Sequence, residues 1–66
     1  MGERLSEEKL QNRVDYAIGR CLKMEGYRPT TLQIQGYISD AFGTWPSGRD
    51  VEKCAERTYR ENRMKS

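Results

Sequence analysis

Four basic side chains, Arg49, Lys53, Arg57 and Arg60, recur at steps of four, four and three residues. On a helix turning about 100° per residue, with Arg49 at zero, the other three fall near ~40°, ~80° and ~20°. All four therefore share one stripe. A row of guanidinium and ammonium groups is what pairs with a polyanion such as a nucleic-acid backbone. Two carboxylates lie beside the stripe. Glu56 is spaced to pair with Lys53 and Arg60, and Glu52 with Arg49, at the three- and four-residue separations that bring side chains together on a helix. The stripe thus has two readings, a polyanion-binding face or a solvated face that neutralises itself.

Other chemistry is poorly supplied. The chain has no histidine, which removes the commonest general base and the commonest metal ligand. Its two cysteines, Cys21 and Cys54, are far apart in sequence and form no CxxC pair, so neither a disulfide framework nor a zinc site is expected. Both fall on apolar faces and read as reduced, buried thiols. With no phosphate-binding glycine loop and little room for a pocket, neither an enzyme nor a bound metal or cofactor is expected.

The aromatic residues offer a different kind of contact. Trp45, the only tryptophan, stands in the segment Gly43-Thr44-Trp45-Pro46-Ser47-Gly48. There it either caps the core between two helices or anchors a protein partner, since exposed tryptophan is a frequent hot spot. Tyr37 is the second candidate partner-binding residue. Tyr16 lies off the apolar face of its helix and Tyr27 in a loop, both placed for a binding or dimer surface.

These residues must be positioned by very little chain. Sixty-six residues make one domain, 1–66, with a thin margin of stability. Mean hydropathy is −1.00 and the pI about 8.7. There is no apolar run of ~18 residues to span a membrane. The opening Met-Gly-Glu-Arg-Leu-Ser-Glu-Glu lacks the apolar core of a secretory signal, so a cytoplasmic location is expected. Residues 1–48 carry six basic and six acidic side chains, and residues 49–66 six basic and four acidic, so the net +2 belongs to the last segment. Between Pro29 and Gly48 the only charge is Asp40.

Two clusters of turn residues, at 26–29 and 43–48, divide the chain into three stretches of helical length. The first helix is predicted over about 6–25, with Ser6 as N-cap, Glu7 and Glu8 at the positive end of its dipole, and Gly26 as C-cap. Leu10, Val14, Ala17, Ile18 and Cys21 share its buried face. The second is predicted over about 31–42, behind a capping box of Thr30 and Gln33, with Ile34, Tyr37, Ile38, Ala41 and Phe42 facing inward and Gly43 closing it. The third is predicted over about 48–63, behind Ser47 and Asp50, with Val51, Cys54, Ala55, Thr58 and Tyr59 on one face. No alternating run offers a β-hairpin. The expected fold is all-α, a compact three-helix domain.

The second and third stretches resemble a helix-turn-helix. Thr31-Leu-Gln-Ile-Gln-Gly-Tyr-Ile-Ser-Asp-Ala-Phe-Gly43 is similar to the first helix of that motif, with Ile38, the small Ser39, Phe42 and then Gly43 at the turn. Pro46-Ser47 before Val51 resembles the lead-in to a recognition helix, and Arg28-Pro29-Thr30-Thr31 the approach to the motif in winged-helix repressors. The resemblance covers about residues 28–63. It implies that the third helix reads the major groove, with Ser47, Arg49, Asp50 and Lys53 at base edges. It also implies that Arg28, Arg57 and Arg60, with Thr30 and Thr31 at the second helix N-terminus, contact phosphates.

The expected function is therefore double-stranded-DNA binding by a small transcriptional regulator, acting as a homodimer, of a size that suits a phage or mobile element. The alternative is a small protein-binding module or inhibitor working through Trp45 and the uncharged 29–48 surface.

Overall fold

Ser6 starts the first helix without joining it. Its backbone is extended, at φ −67° and ψ 156°, and its hydroxyl accepts a hydrogen bond from the Lys9 N–H at 3.2 Å. The computed structural model describes residues 6–65, and of 62–65 the backbone alone. Helix α1 spans Glu7–Glu25, α2 Thr31–Phe42 and α3 Gly48–Lys65, and there is no strand among the described residues. The chain is an all-α three-helix domain. No helix among the described residues is long and apolar enough to cross a membrane.

The caps that divide the chain are physically in place. Gly26 adopts φ 80°, and its N–H donates to the carbonyls of Cys21 and Leu22. The capping box of α2 is complete: Thr30 Oγ1 accepts from the Gln33 N–H at 3.2 Å, and Gln33 Oε1 accepts from the Thr30 N–H at 2.9 Å. Gly43 ends α2 at φ 73°, donating to the Ser39 carbonyl. Both glycines occupy the left-handed region that side-chain-bearing residues enter only at a cost. Helix α3 opens with the Val51 N–H donating to the Ser47 carbonyl at 3.0 Å.

Leu10, Val14, Ala17 and Ile18 of α1, Ile34 and Ile38 of α2, and Val51 and Ala55 of α3 form the core. Burying each large aliphatic side chain contributes roughly 1.5–3 kcal/mol. Helices α1 and α3 make the most extensive contact. A polar tie reinforces it. Gln11 Nε2 donates to Thr58 Oγ1 at 2.7 Å and lies 3.1 Å from the Cys54 carbonyl, while the buried Thr58 hydroxyl donates to Asp15.

Three expectations need correction. Ala41 and Phe42 share the period of the α2 core face yet are exposed, because α2 has already spent Ile34 and Ile38 on the core and its last turn runs past it. Cys54 is half-buried rather than buried, facing a groove between α1 and α3 lined by Glu7, Leu10, Asp50 and Arg57. Trp45 does not cap the core; its surface is 59% exposed. The third helix also continues two residues beyond its expected end, to Lys65.

Candidate nucleic-acid interface

Helix α3 turns Val51, Ala55 and Thr58 inward, which leaves Arg49, Lys53, Arg57 and Arg60 exposed on its other side. The pairings that would neutralise this face are absent among the described residues. Neither Glu56 with Lys53 or Arg60, nor Glu52 with Arg49, comes within ion-pair distance; the one ion pair among the described residues is Arg57 to Glu61, at 3.7 Å. Arg57 is thus partly compensated and overlooks the α1–α3 groove beside Glu7 and Asp50. Lys53 is exposed and lines the same groove, while Arg49 and Arg60 stand clear of it.

The N-terminus of α3 is held against the first turns of α2. Gln35 Nε2 donates to the Pro46 carbonyl at 2.9 Å, and Pro46 is buried. A Cβ at Gly48 would lie 3.5 Å from Gln35 Nε2 and 3.6 Å from Thr31 Cγ2, which is ordinary van der Waals contact. Ser47 and Arg49 therefore start α3 at the edge where α2 starts with Thr30 and Thr31. Thr30 is exposed, with its hydroxyl engaged in the cap; Thr31 is half-buried.

Arg28, given a phosphate role by the resemblance, is exposed and packs on an aromatic ring. Its guanidinium stacks over the Tyr59 ring at 4.3 Å and clamps the α1–α2 loop to α3. The Tyr59 hydroxyl is buried with no hydrogen-bond partner among the described residues, and burial raises its pKa against the opposing pull of Arg28. Tyr37 is half-buried against the core, with burial first and the neighbouring Cys21 thiol next raising its pKa. It presents less to a partner than expected.

No family model, no curated protein and no solved structure matches the chain. Its site is therefore read from its own residues.

A second cluster was not singled out from the sequence. On α1, the Arg13 guanidinium lies 4.6 Å from the centre of the Phe42 ring and Nη1 donates to Thr44 Oγ1 at 3.0 Å. Tyr16 meets Phe42 edge to face, with ring centres 5.6 Å apart and planes at 76°. The signal that would have found it is a helical wheel of charge on α1, rather than the summed charge of residues 1–48, which is zero.

Proposed function

We infer that the protein binds double-stranded DNA through α3 and acts as a small transcriptional regulator, as a homodimer. The observation that carries this reading is the outward face of α3. Arg49, Lys53 and Arg60 are exposed there, without carboxylate partners among the described residues, beside the N-terminus of α2. A helix fits the major groove, and α3, with 18 residues, is about 27 Å long at 1.5 Å per residue. In this pose Ser47, Arg49 and Lys53 reach base edges, Arg49 being suited to a bidentate contact with guanine. Arg57 and Arg60, further along, and Thr30 and Thr31, at the start of α2, meet phosphates. A dimer supplies the second half-site that one short helix needs for specificity.

The test is an anisotropy titration of duplex DNA at several salt concentrations. Three to four phosphate contacts per protomer give a slope of log K against log salt of about −3 to −4, and a dimer gives about twice that. Arg60→Ala should weaken all duplexes alike and flatten the slope by about one unit. Arg49→Ala should relax preference at one base pair, at a cost of about 1–3 kcal/mol. Absence of duplex binding at ~50 mM salt and micromolar protein would retire the reading.

One observation favours a second reading, a protein-binding module: Trp45 is 59% exposed. Its neighbours on that reading are not the whole 29–48 surface, since Tyr37 packs inward.

A further inference from the structure

The flank of α1 that faces the end of α2 is sorted by charge. Lys9, Arg13, Tyr16, Arg20, Lys23 and Met24 fall within an arc of about 100° at 3.6 residues per turn. None of the four acidic residues of α1 shares that arc. Glu7, Glu8 and Glu25 lie elsewhere on the wheel. Asp15 borders the flank, but its carboxylate is turned to the α3 side, where it accepts from Thr58 and Gln11. Four cations therefore share the arc with no acid of α1 inside it, and Asp15 at its border is engaged by Thr58 and Gln11.

Apolar surface lies within the same arc. Tyr16 is 43% exposed and Met24 63%. Phe42, 41% exposed, joins Tyr16 from the end of α2, and Trp45 follows one residue after Thr44, which Arg13 binds. The cluster is organised in advance. The Arg13 guanidinium is held by both Thr44 and the Phe42 ring, so a partner meets a donor already oriented, and its remaining N–H groups suit a carboxylate fork. Beside it an open groove of about 600 Å³ runs along α1 past Tyr16, Arg20, Lys23 and Met24, with Asp15 on its far edge. Its floor includes Gly19, where an added Cβ would meet nothing within 4 Å, so the helix backbone is bare to an approaching chain.

We propose that this face docks an acidic amphipathic helical segment of another protein, with apolar side chains against Tyr16, Phe42 and Trp45 and carboxylates on Arg13, Arg20 and Lys23. The proposal deepens the protein-binding reading and is independent of DNA binding by α3. Charge complementarity selects the occupant. The aromatic geometry disfavours single-stranded nucleic acid, which stacks bases on open ring faces. Here one face of Phe42 lies under a guanidinium, and Tyr16 meets it edge-on.

The test is selection from a displayed library of random peptides of about 16 residues, long enough for four helical turns, against the intact protein. The enriched peptides should be acidic, with aromatic or aliphatic residues at helical spacing. Synthesised singly, they should shift the Trp45 fluorescence and lose affinity as salt rises. Arg20→Glu and Tyr16→Ala should each weaken them at least tenfold, while Arg20→Lys stays within about threefold; circular dichroism verifies that each variant is folded. Enriched peptides without acidic bias, or with equal affinity for Arg20→Glu, would overturn the acidic-partner proposal and leave the protein-binding reading standing. A library that yields nothing above background would remove both. Binding of oligo-dT that Tyr16→Ala abolishes would reassign the face to single-stranded nucleic acid.

Discussion

Thr58 is the one polar side chain among the described buried residues, and its surroundings ask more of it than one hydroxyl can give. It lies within hydrogen-bond distance of the Asp15 carboxylate, the Cys54 carbonyl and the Gln11 amide. With a single proton to donate, it gives it to the charged acceptor, and Gln11 completes the set. Thr58→Val keeps the shape and removes the donor. We expect a loss of about 1–2 kcal/mol, read as a melting temperature lower by roughly 5–10 °C. Cys54, next to it, sets a pH dependence. Burial raises its pKa above the ordinary 9.0, Asp50, Glu7 and Asp15 add to the rise, and Arg57 opposes it. The folded state thus holds the thiol proton more tightly than the unfolded state. That contribution is complete below the unfolded pKa and disappears as pH climbs through the folded value. Urea unfolding should show stability falling as pH rises above the unfolded thiol pKa, and Cys54→Ala should flatten the early part of the fall. A thiol reagent should reach Cys54 in the native protein before Cys21. The period of the helix placed Cys54 on the apolar side of α3, but it could not show that this side ends in a groove rather than under another helix.

At the scale of elements, the sequence was most legible where backbone chemistry leaves no choice. Ser6, the Thr30–Gln33 pair, Gly26 and Gly43 each answer a specific need of a helix end, and each is found there. Two glycine substitutions of opposite sign test this. Gly43 sits at φ 73°, so Gly43→Ala should cost about 1–2 kcal/mol in left-handed strain. Gly19 lies mid-helix in open space, so Gly19→Ala should stabilise by up to ~1 kcal/mol. Thermal melts of the two variants should move in opposite directions. The end of α2 was misread because apolar periodicity reports which side of a helix is greasy and not how far the neighbouring helices extend. Phe42 continues the period of Ile34 and Ile38, but it meets Tyr16 and Arg13 instead of joining the core.

At the scale of the molecule, eight small and medium apolar side chains form the core. Total stability for 66 residues is on the order of 3–10 kcal/mol at 0.05–0.15 kcal/mol per residue. Ile38→Ala, at a fully buried site, should cost about 2–5 kcal/mol. A melt of that variant should therefore show a protein near or past its limit at 37 °C. The candidate sites were legible unevenly for a related reason. On α3 the charge excess is visible in the linear sequence. On α1 the acids and bases cancel along the chain and separate only around the helix, so the second basic face emerges when the wheel is drawn and Phe42 is placed against it.

The polar tie between Gln11, Asp15 and Thr58 spans most of the chain, and this bears on how the protein is made. The most extensive helix contact joins the first helix to the last. During synthesis at about 5–20 residues per second, α1 and α2 emerge with Val14, Ile18, Ile34 and Ile38 lacking the surface that covers them. The 18 residues of α3 take roughly one to four more seconds at that rate to appear. Until α3 clears the exit tunnel the nascent chain has no native state to reach. Folding of this domain therefore waits on α3, and a chain truncated within that helix is an aggregation-prone fragment rather than a shortened domain.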